Sequence, residues 1–463
     1  MRFTTPSWIL CGAVLPIFSC AASAVAATNS PSRPPNILVV TIDNLGYADL
    51  GCFGNTLVKT PNIDALAHGG VRCLAFYSGS PTCSPSRGSL LTGRYPQRNG
   101  LNVQLPGVAG NWGVGLPPEE KLIPAYLKPA GYATGCFGKW NIGFAPGTRP
   151  TEEGFDEFIG FPAGQIDYYT YMYGERYALY KGTEEFRTDK YATDLWADSA
   201  IDFIKRHADR PFFVYLPFNA PHSVDASNFK PGQRIQYRVP DEYLALYGST
   251  PGEDSDRLRY FAVVSAMDAA FGRVLRTLDE LALRDNTLIV FYNDNGANTV
   301  RQHGLEFATN APYRGGRPDC WEGGIRVPAI VRWPARLPAD IDCHEPLIAM
   351  DILPLILAAA GVPAPNDRVL DGIDPTAILA GRAAAPDRML FWEYNSQTAV
   401  RHGRFKLMRP SKAKPFELYD LIADPGEFRN IAAAHPDVVA RLSAAREQWL
   451  VETGASERAA RKR

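Results

Sequence analysis

Apolar runs of strand length, separated by helical patterns, restrict the fold of this chain more than any other feature. Asn36 to Asp43 reads Asn-Ile-Leu-Val-Val-Thr-Ile-Asp, rich in β-branched residues and without polar alternation. A strand without alternation is buried on both faces, as in a parallel sheet covered by helices. The same texture recurs from Pro211 to Pro217 and from Thr287 to Asn293, and a shorter run spans Val327 to Trp333. Between them, Thr193 to His207 places Leu195, Ala200, Ile201 and Ile204 near one helical face, with Thr193-Asp194 as a start signal. Asp256 to Leu283 and Asp351 to Ala360 are further helical patterns, the second ended by Gly361 and Pro363. The expected class is α/β, a large and mostly parallel sheet sandwiched by helices. Ligands of such sheets bind beyond the carboxyl ends of the strands. Asp43 ends one run and Asp294 follows another, so both are candidates for one site.

The texture changes after Gly381. Met389 to Tyr394, Ala399 to Arg409 and Phe416 to Leu421 read as short antiparallel strands. Pro436 to Leu450 reads as a closing helix with Val439, Leu442 and Trp449 inward. Residues 34–380 are therefore expected to form the larger domain and residues 381–455 a small C-terminal sheet-plus-helix subdomain. Residues 1–26 read as an export signal, with Arg2, an apolar stretch from Trp8 to Phe18, and small-residue cleavage sites around Ala24 and Ala26. A lipoprotein reading through Cys20 competes with a cleaved signal. The apolar stretch of the signal is too short to span a membrane and no other apolar run reaches spanning length, so the expectation is an exported protein, periplasmic or secreted, with no membrane span. A net charge of −1 over 463 residues argues against a nucleic-acid partner. Of eight cysteines, Cys11 and Cys20 lie in the signal. No C-x-x-C pair suggests zinc, and the sequence assigns no disulfide.

The chemistry centres on Cys83-Ser84-Pro85-Ser86-Arg87, followed by Leu90, Thr92 and Gly93. Alone, Cys83 would pass for a buried thiol in a loop leading into a helix. The C-x-P-S-R-x-x-L-x-T-G pattern, however, resembles the signature of the type I sulfatases, of the alkaline phosphatase superfamily. Other blocks follow in the family's order. Asp43-Asn44 to Gly51 resembles D-D-x-G-x-x-D, and Gly131 to Trp140 resembles the second signature. Asn219-Ala-Pro-His222 resembles the A-P-H element, and Asn293-Asp-Asn-Gly296 the second metal block. Arg314-Gly-Gly-Arg317 with Trp321 to Pro328 resembles R-G-x-K…E-G-G-x-R-V-P. The resemblance runs from about Pro35 to about Ile431, including the Gly-Phe-Asp-Glu segment at Gly154 and the Glu417-Leu-Tyr-Asp element.

The resemblance implies a sulfuric ester hydrolase. A formylglycine-generating enzyme converts Cys83 to 3-oxoalanine, and one hydroxyl of the aldehyde hydrate attacks sulfur while the other expels sulfate. It implies one calcium ion held by Asp43, Asn44, Asp294, Asn295 and the modified Cys83. All are oxygen donors, which suit a hard cation. It also implies that Arg87, Lys139, His222 and Arg317 handle the sulfate, with His222 protonating the leaving oxygen and Asp294 aiding deprotonation. The substrate is a small-molecule or carbohydrate sulfate ester of unspecified alcohol.

Three positions depart from the family. Asn44 stands where Asp is usual, which removes one negative charge from the metal site. Asn141 stands where His is usual, and an amide takes no proton at neutral pH. Arg317 stands where Lys is usual; it keeps the charge but is planar and longer. These departures keep open a catalytically impaired homologue that binds sulfate esters; the other alternative, a phosphoester hydrolase of the same superfamily, is disfavoured by Cys83 and by the few histidines. His303 follows the second metal block and is a further candidate for the pocket. The tyrosines from Tyr168 to Tyr180 are read either as a stacking surface for substrate or as packing.

Overall fold

The computed structural model describes residues 1–4, 33–105, 115–224, 237–249, 255–298 and 307–455. Contacts divide the chain into Met1–Ser32 and Arg33–Arg463, and the second unit carries everything that follows. From residue 5 on, the expected export signal lies outside the described residues, as does His303.

The strands in chain order are β1 (Asn36–Ile42), β2 (Val71–Tyr77), β3 (Ala133–Lys139), β4 (Glu157–Phe161), β5 (Met172–Tyr173), β6 (Arg176–Tyr177), β7 (Tyr180–Lys181) and β8 (Glu184–Glu185). There follow β9 (Phe212–Pro217), β10 (Thr287–Asn293), β11 (Arg326–Arg332), β12 (Ile341–Cys343) and β13 (Leu347–Ile348). The last four are β14 (Met389–Tyr394), β15 (Gln397–His402), β16 (Phe405–Arg409) and β17 (Glu417–Asp420). The large sheet has the order β12-β2-β11-β10-β1-β9-β3-β4-β7-β8, with β13 beside β2. Its centre, β10-β1-β9-β3-β4, is parallel throughout. Every residue of β1, β3, β9 and β10 is buried, which is why their sequences show no alternation. β11 enters antiparallel between β10 and β2.

Helices cover this sheet in two groups. Asp256–Glu280 packs on both Pro61–His68 and Ala192–Arg206, and Ile352–Ala360 on both Cys83–Thr92 and Ile123–Leu127. Gly361 takes a positive φ of 67° and ends its helix as the sequence implied.

The C-terminal strands form a four-stranded antiparallel sheet, β14-β15-β16-β17. The expected single strand from Ala399 to Arg409 is two strands folded at Gly403, whose φ is 55°. Pro436–Glu452 packs on this sheet with Val438, Leu442 and Trp449 buried. The helical phase turns Val438 inward and leaves Val439 half-buried, which corrects the sequence reading. Among the described residues, no helix is long and apolar enough to cross a membrane. Cys52, Cys73, Cys83, Cys136, Cys320 and Cys343 are free thiols.

Candidate active site

Register explains why two distant acids meet. β1 and β10 are parallel neighbours with Ile42 opposite Asn293. The next residues, Asp43 and Asp294, therefore leave the sheet side by side. Asp294 N–H donates to Ile42 O at 2.9 Å, and Asp43 N–H to Ala220 O at 3.3 Å. Asn44 then turns with φ 64°, a conformation that Asn tolerates better than most residues. Its Oδ1 accepts from Asn295 Nδ2 at 2.6 Å. Asn293 clamps the turn, accepting from Leu45 N and donating to Leu45 O.

The Cys83–Thr92 helix starts at the signature cysteine and is buried over its whole length. Cys83 Sγ lies 3.4 Å from Asp43 Oδ1. Ligand atoms of Asp43, Cys83 and Asp294 all lie within 4.8 Å of one another. One helical turn on, Arg87 grips Asp294 Oδ2 through Nε at 2.9 Å and Nη2 at 2.8 Å, and donates to Lys139 O at 3.0 Å. Lys139 ends β3 and pairs its Nζ with Asp43 Oδ2 at 2.5 Å. The preceding Gly138 has φ 131°, and a Cβ there would stand 2.1 Å from Pro217 O, so only glycine lets β3 deliver Lys139.

His222 follows the end of β9 and is half-buried. Its Nδ1 lies 2.7 Å from Ser223 O. A carbonyl only accepts, so this contact places the proton on Nδ1 and leaves Nε2 as the free nitrogen. Burial, with Lys139 and Arg317 adding to it and Asp43 opposing, pushes the imidazole pKa down to about 4. Arg317 is half-buried and its Nε lacks a hydrogen-bond partner among the described residues. Its backbone N–H donates to Ala297 O, three residues beyond Asp294. Arg314 turns away, stacking on Trp321 at 3.9 Å. Asn141 Oδ1 accepts from Ser84 Oγ at 3.0 Å and from Gln104 Nε2 at 3.1 Å.

Electrostatics separate the acids. Burial raises the Asp43 carboxyl, but Lys139, His222 and Arg87 outweigh it and hold the group below the usual carboxylate range. Burial and the charge of Asp43 move Asp294 upward instead, against Arg87. Burial, then Asp43, pushes the Cys83 thiol up to about 11. At neutral pH the sulfur is a protonated thiol, a poor nucleophile. Asp294 Oδ1 and Asn295 Oδ1 are buried without a hydrogen-bond partner. Such orphaned oxygens are costly unless something else satisfies them. The oxygen donors of Asp43, Asn44, Asp294 and Asn295 suit a hard divalent cation.

A family model described as Sulfatase matches residues 35–362. The chain belongs to the sulfatase family. A second model, N-sulphoglucosamine sulphohydrolase, C-terminal, matches residues 319–450. N-acetylgalactosamine-6-sulfatase of Homo sapiens is 34% identical over 401 residues, covering 81% of this chain and 71% of the relative. Arylsulfatase A of Homo sapiens is 31% identical over 481 residues, covering 90% and 88%. A crystal structure of Ps i-CgsB in complex with k-i-k-neocarrahexaose superposes with a TM-score of 0.81 at 30% identity, covering 90% of this chain and 93% of that one. This sulfatase is thus an enzyme that hydrolyses sulfate esters.

Sequence motifs pointed to Asp43, Asn44, Cys83, Arg87, Lys139, Asn141, His222, Asp294, Asn295 and Arg317. Contacts described above join Asp43, Cys83, Arg87, Lys139 and Asp294, and the electrostatics of His222 and Arg317 tie both to Asp43. Gln104 was missed, since a lone loop glutamine carries no periodic or motif signal. Tyr168 and Tyr171 are buried, Tyr168 stacking on Tyr191 and Tyr171 edge-on to Trp196, which favours packing for that pair.

Proposed function

We propose that this sulfatase works with 3-oxoalanine at position 83 and one calcium ion, on a carbohydrate sulfate monoester, after export directed by residues 1–26. The observation that carries the reading is the donor set. Carboxylate oxygens of Asp43 and Asp294 lie within 4.8 Å of a soft, protonated sulfur, Asn44 and Asn295 add amide oxygens beside them in sequence, and replacing that sulfur by oxygen would make the donor set that of a hard-cation site. The orphaned Asp294 Oδ1 and Asn295 Oδ1 support the same assignment. When bound, the aldehyde hydrate supplies an oxygen nucleophile and the cation supplies Lewis-acid stabilisation of anionic oxygens.

The chain's own residues do the rest. Lys139, Arg87 and Arg317 set three positive charges against the two carboxylates, Asp43 and Asp294, leaving the pocket positive before any cation binds. That excess suits an anionic sulfate. Arg87 fixes the Asp294 carboxylate through two contacts to Oδ2, which leaves Oδ1 as the oxygen that would serve the cation. Lys139 orients Asp43 and holds it ionised. Arg317 offers its unpartnered guanidinium edge to sulfate oxygens. His222 presents Nε2 to the leaving oxygen. The negative charge of a bound sulfate ester favours protonation of that nitrogen, which then serves as the acid.

Support for a carbohydrate ester comes from the superposition on the neocarrahexaose complex and from the N-acetylgalactosamine-6-sulfatase relatives. The test is mass spectrometry of the peptide containing residue 83, together with turnover of an aryl sulfate and a panel of sulfated sugars after co-expression with a formylglycine-generating enzyme. An intact thiol in every active molecule would refute the aldehyde. Turnover of aryl sulfate but of no sulfated sugar would refute the substrate class.

A further inference from the structure

Two backbone N–H groups, which can only donate, fix the polarity of a chain of side chains beside residue 83. Ser84 N–H donates to Gln104 Oε1 at 3.1 Å. That contact settles which end of the Gln104 amide is oxygen, and so presents Nε2 to Asn141 at 3.1 Å. Leu105 N–H donates to Ser84 Oγ at 3.2 Å, and the Ser84 hydroxyl proton goes on to Asn141 Oδ1 at 3.0 Å. Asn141 Oδ1 thus receives two donors, and turning the amide over would set its NH2 against the Gln104 NH2. The Asn141 Nδ2 is therefore directed away from both partners. Asn141 is 2% exposed, and no described residue hydrogen-bonds its Nδ2.

Both nitrogens converge on one place. A Cβ built on Gly164 would lie 3.9 Å from Asn141 Nδ2 and 3.9 Å from Gln104 Nε2, with no other heavy atom of the described residues within 4 Å, its chain neighbours aside. Gly164 has no positive φ that would require glycine, so its missing side chain leaves room without serving the backbone. This space adjoins the start of the Cys83–Thr92 helix, and Asn141 lies two residues beyond Lys139, which grips Asp43.

We infer that Gln104 and Asn141 form a fixed pair of amide donors that receives an acceptor oxygen of the bound sulfate ester in the space over Gly164. The inference rests on the sulfatase reading of the site and adds a binding role for Gln104 and Gly164. The pair holds an oxygen whatever the pH, because neither amide titrates. The acceptor oxygen belongs either to the sulfate group or to a hydroxyl of the alcohol portion.

The test uses the full chain with Cys83 unconverted, so that binding is read without turnover, by calorimetric titration of inorganic sulfate, 4-nitrophenyl sulfate and a sulfated hexose. Gly164→Ala fills the space with one methyl at van der Waals distance and should leave the melting temperature unchanged. It should weaken binding roughly 10-fold, the loss expected for one or two hydrogen bonds. Gln104→Met removes one donor and frees Asn141 to turn over, with a loss of the same order. Weakening with all three probes assigns the oxygen to sulfate, and weakening with the hexose alone assigns it to a hydroxyl; both support the pair. Wild-type binding with equal affinity in both variants overturns the inference, as does a wild type that binds none of the probes. A matured wild type that turns over no sulfate ester instead refutes the reading on which it rests.

Discussion

Two buried charge clusters flank β11 and differ in one respect. The first, around Cys83, leaves Asp294 Oδ1, Asn295 Oδ1 and Arg317 Nε without hydrogen-bond partners. The second is closed. Lys406 Nζ pairs with Glu322 Oε1 at 3.0 Å and Glu427 Oε1 at 2.9 Å, all three side chains fully buried. Glu322 Oε2 accepts from Tyr77 at 2.6 Å and Arg326 at 3.3 Å, and Glu427 Oε2 accepts from Glu322 N at 2.6 Å. Each of its four carboxylate oxygens has a partner, Glu427 Oε1 through its ion pair with Lys406 alone. A closed cluster ties elements together, here β16 and the Glu427 turn to the loop carrying Arg317, whereas an open one is shaped for a ligand.

The sharpest way to break this comparison is to exchange its two outcomes. Cys83→Ala should abolish turnover, by roughly 10^4-fold or more, while thermal unfolding changes little. If activity survives, the open cluster is not where the chemistry occurs. Lys406→Met should do the reverse, stranding two buried carboxylates at a cost of about 3–5 kcal/mol. Its melting temperature should fall steeply, while KM measured below that temperature stays near the wild-type value. Unchanged melting would show that the closed cluster contributes no stability.

A smaller effect separates the clusters by ligand response. Calcium at about 100 times its dissociation constant should stabilise the wild type by about 2.7 kcal/mol, read as a rise in melting temperature that a chelator reverses. Asp294→Asn should lose that rise, and Glu322→Gln, however destabilised, should keep it. The smallest change is Asn44→Asp, which restores a charge to the oxygen set. Calcium titration should show several-fold tighter binding, on the order of 1 kcal/mol, since ligand charge tunes such sites. Equal affinities would mean that Asn44 is a turn residue alone.

Much of the open cluster was legible from local signals. β1 and β10 announce themselves as doubly buried strands, and an acid after each end falls where parallel sheets bind ligands. Arg87 follows Cys83 by four residues, about one turn of a helix, and the helix does start at Cys83. The direction of β11 was not legible, because Arg326–Arg332 is equally apolar whether its neighbours run with it or against it. Lys406 gave no signal. It was not singled out in the sequence, yet it is fully buried between Glu322, 84 residues away, and Glu427. Gln104 was invisible until Ser84 and Asn141 stood beside it.

The amino-acid order alone determined the doubly buried strands, the helix that begins at Cys83, and the kinds of donor and cation that follow particular strand ends. These depend on neighbours within a few residues, through side-chain hydrophobicity and backbone preference. The folded structure alone decided which buried oxygens and amides find partners and which stay open. Hydrogen-bonding capacity is filled by groups as far apart as Asn44 and Asn295, and no local pattern records what remains unfilled after the chain has closed on itself.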